Sequence, residues 1–370
     1  MCVFSTTSRP RHSTPLLKNI LITGASGFAG SLIAHELKRH EPSSAILCVD
    51  NLSRKGSEHN LKKLASCGIE IIRGDVRLQS DVDALPSVDW VIDCAATPSV
   101  LGGLDGTVSS RQVMEHNLLG TINLLEYCKR QKAGLILLST SRVYSANDLA
   151  NLPVKTTNDH YELKHVKNIN GVSENGITEE FPTTAPISLY GASKLASEAL
   201  ILEYGKAFNF PVWINRCGVL AGAGQFGKPD QGIFSYWIHS FREKRPLKYI
   251  GFEGSGHQVR DALHPNDLIP LLVQQMDEPD RNVPRTINLG GGIEHSMSLK
   301  QLSAWSEERF GQNQVISSSE NRPMDAPWIV MDSSLARKSW DWTPKIQIYK
   351  ILNEIADHAQ SHPRWLELTS

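Results

Sequence analysis

Lys18-Asn19-Ile20-Leu21-Ile22-Thr23-Gly24-Ala25-Ser26-Gly27-Phe28-Ala29-Gly30-Ser31-Leu32-Ile33 is the stretch whose reading decides the fold. Asn19 to Thr23 is a short, mostly apolar run of the kind that forms a buried strand. Three glycines follow at intervals of three, and then an amphipathic segment, Phe28 to His40, long enough for a helix. In the order strand, glycines, helix, each glycine has a physical task. Gly24 permits the tight turn, Gly27 lets backbone N–H groups approach a pyrophosphate, and Gly30 allows the helix to pack closely on the strand. The N-terminus of the helix then favours the anion.

Downstream, short apolar runs alternate with longer amphipathic ones, the pattern of βαβ units and a parallel sheet. Expected strands are Asn19 to Thr23, Ala45 to Asp50, Ile69 to Arg73, Trp90 to Cys94, Gly134 to Ser139 and Val212 to Asn215; expected helices are Phe28 to His40, Arg111 to Lys132 and Tyr190 to Phe208. The fold class that follows is α/β: a Rossmann-type doubly wound parallel sheet with a smaller, partly irregular C-terminal substrate-binding lobe. The alternation breaks at 146–188, a polar insertion, and again after Ala221. The expected organisation is a disordered leader over 1–17, a dinucleotide-binding domain over 18–216 plus 260–290, and the lobe over 217–259 and 291–365.

The second strand ends in Asp50-Asn51, about 20 residues past the last glycine, where a carboxylate can accept hydrogen bonds from the adenosine ribose. This favours NAD over NADP, although Arg54 and Lys55 lie close enough in sequence to host a 2′-phosphate. Phe28, Asn51, Asp75 and Ala95 complete the expected cofactor wall, Asp75 at the adenine edge with a turn-forming role nearly as good an account.

Composition bounds the partners. The chain has 370 residues, 40% hydrophobic and 21% charged, with a formal charge of -1. That balance disfavours nucleic acid or an anionic membrane as the main partner, and no run reaches the roughly 18 apolar residues of a membrane span. Six cysteines without a C-x-x-C pair suit a reducing compartment such as the cytoplasm better than a disulfide framework, and no metal site is expected. The first 17 residues lack an apolar core, so they are not read as a secretory signal; a transit peptide is the lesser alternative.

Tyr190 and Lys194 stand at i and i+4 in a helix, which puts phenol and ammonium on one face about 5 to 6 Å apart at Cβ. A phenol with a pKa near 10 is a poor base at neutral pH. A cation about 4 Å away is worth on the order of 4 kcal/mol at an intermediate dielectric, so Lys194 is expected to lower that value by about three units. Taken alone the pair is also an ordinary surface pair. Strand Gly134 to Ser139 runs into Thr140 and Ser141, placing hydroxyls at the carboxyl edge of the sheet, where ligands of such folds bind.

Gly24-x-x-Gly27-x-x-Gly30, Ser139-Thr140 before Val143-Tyr144, and Tyr190-x-x-x-Lys194 together resemble the extended short-chain dehydrogenase/reductase superfamily, from residue 18 over nearly the whole chain. The resemblance implies Thr140 as the catalytic hydroxyl, Tyr190 as general base and Lys194 as the orienting cation, with Tyr190 and Lys194 also touching the cofactor. It implies Asn117 and Ser141 near the substrate. The family's 4,6-dehydratases carry an Asp-Glu pair after the catalytic Thr; here Ser141 and Arg142 stand there, which argues against dehydration and for transient oxidation and re-reduction.

Within the family, Asp50 to Gly56, Gln225-Phe226 with Asp230-Gln231-Gly232, and Gln258-Val259-Arg260-Asp261 before His264 resemble the CDP-paratose 2-epimerase branch. By that resemblance Arg260 and Arg322 hold the diphosphate of a nucleoside-diphosphate sugar, and Gln225 and Gln231 face its sugar or base. Asn215-Arg216-Cys217-Gly218 and Ala95 to Pro98 depart from the usual pattern, so the sugar and the carbon stay open. His264 reads better as a helix start than as a chemical group, and Trp328, Trp340 and Trp342 read as packing residues. A homodimer or homotetramer is the family's expectation. An NAD(P)-dependent nucleotide-sugar dehydrogenase or reductase is the competing enzyme reading; a non-catalytic dinucleotide sensor is disfavoured because Tyr190 and Lys194 are both present.

Overall fold

A computed structural model describes residues 17–104, 106, 108–164 and 169–369, so nearly all of the leader expected over 1–17 lies outside the described residues. Seven parallel strands form the central sheet: β1 (Asn19–Thr23), β2 (Ala45–Asp50), β3 (Glu70–Arg73), β4 (Trp90–Asp93), β5 (Gly134–Thr140), β6 (Val212–Cys217) and β7 (Thr286–Leu289). Their order is β7-β6-β5-β4-β1-β2-β3. The order reverses between β1 and β4, and such a sheet opens a crevice at the carboxyl ends of those strands.

Alternate side chains of each strand enter different cores, as a sheet covered on both faces requires. Ile20, Ile22, Ile46, Cys48, Ile92, Ile136 and Trp213 join one buried cluster with Ile33 and Leu37 of α1 (Phe28–His40). Leu21, Leu47, Val49, Val91, Leu135 and Ile214 join the opposite one with Leu124, Leu125 and Cys128. At roughly 25 cal/mol per Å² of apolar area removed from water, two such layers dominate the stability of the chain.

The helix expected over 111–132 is divided. It runs as α2 (Ser110–Met114), a π-helical turn Glu115–Leu119, and α3 (Gly120–Gln131). Such wide turns commonly occur at functional sites, and this one presents Asn117 inward, 1% exposed. The long helix α4 (Leu189–Phe208) starts one residue earlier than expected, with the Ser188 hydroxyl capping it from Gly191 N–H at 3.0 Å.

Three expected strands shift by one residue at an end, and two other strands depart further. β6 continues two residues to Cys217 because Arg216, a poor strand signal by itself, has a buried partner in Glu198, 2.7 Å away. β7 is only four residues long and carries the polar Asn288, so no periodicity marks it.

A third buried cluster, with Phe234, Trp237, Ile238, Ile351, Leu352 and Ile355, belongs to the C-terminal lobe. The described residues of the insertion 146–188 contribute to a fourth, in which Leu149, Ile177 and Phe181 join Trp328 to Met331. The insertion includes the antiparallel pairs Val154–Thr156 with Tyr161–Leu163 and Val172–Ser173 with Gly176–Ile177. Trp328, Trp340 and Trp342 are all buried, the last two against the central sheet. His264 does open a helical turn: its Nδ1 accepts from Asn266 N–H at 3.1 Å, and Pro265 takes the first position. Among the described residues, no helix is long and apolar enough to cross a membrane.

Candidate active site

One cleft at the carboxyl ends of β1, β2, β4, β5 and β6 gathers most of the expected site residues. Its cofactor end is the glycine turn. Gly24 has φ +59°, and a Cβ there would lie 2.8 Å from the Ala95 backbone; one on Gly30 would lie 2.3 Å from the Gly24 carbonyl. No side chain caps the start of α1 at Gly27, so its N–H groups face the cleft as an anion cradle.

Asp50 lies beside that turn, accepting from Ser26 N–H at 2.9 Å and Leu52 N–H at 2.8 Å. Burial raises its pKa, and the two backbone bonds pull against the shift. Asp75 is also penalised by burial, but hydrogen bonds from Arg77 and Asn51 hold it down at about 2. The wall formed by Gly24, Gly27, Phe28, Gly30, Asp50, Asn51, Asp75 and Ala95 fits a dinucleotide: a bare helix start for phosphates and fixed carboxylates for a ribose and a base edge.

Thr140, at the end of β5, and Tyr190, at the start of α4, face each other across the middle of the cleft. The backbone between them is tightly packed, since a Cβ on Gly191 would fall 2.1 Å from the Arg142 carbonyl. Thr140 Oγ1 accepts from Arg142 N–H at 3.1 Å, and its hydroxyl lies near enough to the Tyr190 phenol to favour the ionised form. Burial nevertheless pushes that phenol up to about 12, against the lowering effects of Thr140 and of the Arg142 charge.

The expectation that Lys194 lowers the phenol is therefore not met by the protein alone. Lys194 is 1% exposed and does not line the cleft. Its own pKa is lowered by burial, and the carboxylates that act against that shift are Asp93 and Glu198. Asn117 is likewise behind the wall. Its Oδ1 accepts from Thr97 N–H at 2.7 Å, and its Nδ2 donates to Ser193 Oγ at 3.0 Å, so it braces the loop after β4 against α4.

Ser141, Gln225, Gln231, Arg260 and Arg322 all line the cleft. Gln225 donates to Leu220 O at 2.6 Å and leaves its buried Oε1 without a partner. Gln231 Oε1 accepts from Arg54 Nη1 at 2.8 Å. Arg260 pairs with Asp325 at 2.7 Å, not with Asp261 or Asp267; Asp267 instead accepts from Lys345 and Ile346 N–H.

Three features were not legible in the chain. Arg54 and Ser99 reach across from the sheet to Gln231 and Asp230 of the lobe, 177 and 131 residues away in sequence. Arg216 forks onto Glu198, and Ser139 donates to the same carboxylate. Arg142, noted above only for the acid it replaces, puts a guanidinium into the cleft wall. Local spacing carries no signal for partners so distant, and a lone Arg in a turn has none of its own.

The geometry can be set against known proteins. Residues 20–290 match the profile of the NAD dependent epimerase/dehydratase family. CDP-paratose 2-epimerase of Salmonella typhi is 28% identical, over 92% of this chain and 99% of that protein. A dTDP-glucose 4,6-dehydratase of Streptomyces antibioticus is 26% identical, over 91% and 86%. Among solved structures, UDP-glucuronic acid 4-epimerase of Bacillus cereus, in complex with UDP-glucuronic acid and NAD, superposes with a TM-score of 0.75 at 24% identity, covering 93% of this chain and 99% of that one.

Proposed function

The chain belongs to the NAD dependent epimerase/dehydratase family, and on that premise we propose that it epimerises the sugar of a nucleoside diphosphate, in the manner of a CDP-paratose 2-epimerase, without removing water. The observation that carries this reading is the absence, among the described residues, of any carboxylate free to serve as acid or base beside Tyr190. The acids lining the cleft are Asp50, Asp75, Asp230 and Asp325. The first two lie at the cofactor end, Ser99 donates to Asp230, and Arg260 holds Asp325. Where a dehydration needs an acid and a base on neighbouring sugar carbons, this cleft offers Ser141 and Arg142.

Bound NAD supplies a reversible two-electron acceptor beside the sugar. The chain supplies the proton transfers. Tyr190 takes the proton of a ring hydroxyl as its carbon becomes a ketone, and returns it when the ketone is reduced on the opposite face. Thr140 donates a hydrogen bond that stabilises negative charge on the phenol or on the sugar oxygen. Lys194 and Glu198, one turn apart, fix the electrostatic floor beneath. A homodimer through the helices over 110–131 and 189–208 fits the exposure of Leu119 and Leu202, and the five free thiols among the described residues suit the cytoplasm.

The test is to incubate the purified protein with CDP-, UDP-, GDP- and dTDP-sugars and follow both epimer formation and absorbance at 340 nm. Epimer without net NADH is expected, and Tyr190→Phe should lower turnover by about 10²- to 10⁴-fold with bound NAD unchanged. Steady NADH release with an oxidised product makes the protein a dehydrogenase instead.

A further inference from the structure

We propose that Arg54 is a positioning residue that ties one wall of the C-terminal lobe to the cofactor loop, so that NAD and the nucleoside diphosphate each bind more tightly when the other is present. The inference rests on the nucleoside-diphosphate reading above and extends it to the coupling between the two ligands.

Arg54 lies four residues past Asp50, in the loop that follows β2. Its neighbour Lys55 donates to the Glu367 carbonyl at 3.0 Å and does not line the cleft, whereas Arg54 does. Arg54 Nη1 donates to Gln231 Oε1 at 2.8 Å, and its guanidinium lies over the Phe226 ring, 5.1 Å from the centroid. Ser99, in the loop after β4, donates to Asp230. Two loops of the cofactor half thus hold one short segment of the lobe.

That segment is a wall of the site. Phe226, Asp230 and Gln231 all line the cleft. From the lobe it is held by Trp365 of the helix Trp365–Thr369, whose Nε1 donates to Gln225 O at 3.0 Å and whose ring stacks on Phe226 at 5.9 Å. Its position is therefore shared between the lobe's own packing and the Arg54 and Ser99 contacts from the sheet.

The Arg54 contact is incomplete. Its Nε and Nη2 are buried without a hydrogen-bond partner, and among the described residues the neutral Gln231 amide is the only acceptor its side chain has. Buried donors left unsatisfied are costly, and a buried charge without a counter-ion more so. Oxygen acceptors of a ligand in the cleft relieve both costs. The guanidinium is then fixed, and Gln231 with it, so a second ligand meets a wall already in place and loses less in ordering it. Linkage makes the effect reciprocal: whatever NAD does for the nucleotide, the nucleotide does for NAD. An enzyme that needs the same NAD for both hydride transfers gains from a cofactor held hardest while the sugar is present.

The experiment is calorimetric titration of the full-length protein with NAD, alone and with saturating CDP, UDP, GDP or dTDP, and the reverse titration with and without NAD. In wild type the diphosphate that binds is expected to raise NAD affinity by about 5- to 150-fold, and NAD to raise diphosphate affinity by the same factor. In Arg54→Met, which keeps a stem beside Phe226 and removes the donors, both factors should fall to about one. Gln231→Met breaks the same bond from the other side, so the double variant should lose no more coupling than either single one. Arg54→Lys, which retains a charged donor, should keep part of it.

A wild type in which neither ligand changes the other's affinity overturns the inference. So does an Arg54→Met protein that keeps the wild-type factor, even if NAD binds it more weakly throughout, since Arg54 would then be a cofactor contact alone. If that variant does not fold, Gln231→Met decides by the same criterion. If wild type binds NAD but none of the four diphosphates, the nucleotide-sugar reading itself falls, and the inference with it.

Discussion

Replacing Glu198 tests whether the floor of the site is an electrostatic unit. The Glu198 and Arg216 side chains are 4% and 10% exposed, joined by contacts of 2.7, 3.1 and 3.1 Å, and Ser139 donates to the same carboxylate. Arg216 also lies over the Tyr144 ring, 5.2 Å from its centroid. Glu198→Met keeps the volume and leaves the guanidinium as an uncompensated buried charge, which costs about 3 to 5 kcal/mol. That is a large share of the roughly 5 to 15 kcal/mol by which folded chains are stable.

Removing both charges in Glu198→Met with Arg216→Met is a different perturbation, because no buried ion is left, and such replacements are often neutral. The double variant should therefore recover most of what either single variant loses. Urea unfolding followed by tryptophan fluorescence measures all four corners of the cycle, and the coupling is expected to be at least about 2 kcal/mol. Single losses below about 1 kcal/mol, or losses that simply add, would show that the pair is solvated in solution and that the floor is not a unit.

Two further outcomes follow from the same coordinates. Gly30→Ala places a methyl 2.3 Å from the Gly24 carbonyl, so the glycine turn must open; NAD should bind at least about tenfold more weakly, and undiminished binding by calorimetry would contradict the cradle. His239, 1% exposed, and His358, 3.4 Å from it, are pushed by burial and by neighbouring histidines to about 3 and about 4. Both folded values lie below that of a free imidazole, so their contribution to stability is complete above about pH 6.5 and is lost as the pH falls toward 4. Each group should cost roughly 2 kcal/mol by pH 5, and His239→Gln should flatten the pH dependence of urea unfolding; an unchanged slope would place the proton elsewhere.

Much of this protein was readable from local pattern. The run Asn19 to Gly30 specified a strand, a tight turn and a helix start, because each step depends on residues within one or two turns of each other. The same holds for the i, i+4 spacing of Tyr190 and Lys194, and for the hydroxyls at the end of β5. What those groups experience is another matter. Spacing put an ammonium near a phenol, but only the packed structure shows burial raising the phenol, and Asp93 and Glu198 as the ammonium's main charged neighbours.

Tertiary structure also decided which arginine is paired. Arg142, Arg260 and Arg322 are equivalent as letters, and the difference lies in Asp325, 65 residues beyond Arg260 in the chain. Secondary structure is governed by short-range sterics and periodicity, which a sequence displays directly. The charge state and availability of a side chain are governed by desolvation and by partners that folding brings from far away, and these exist only once the chain has closed on itself.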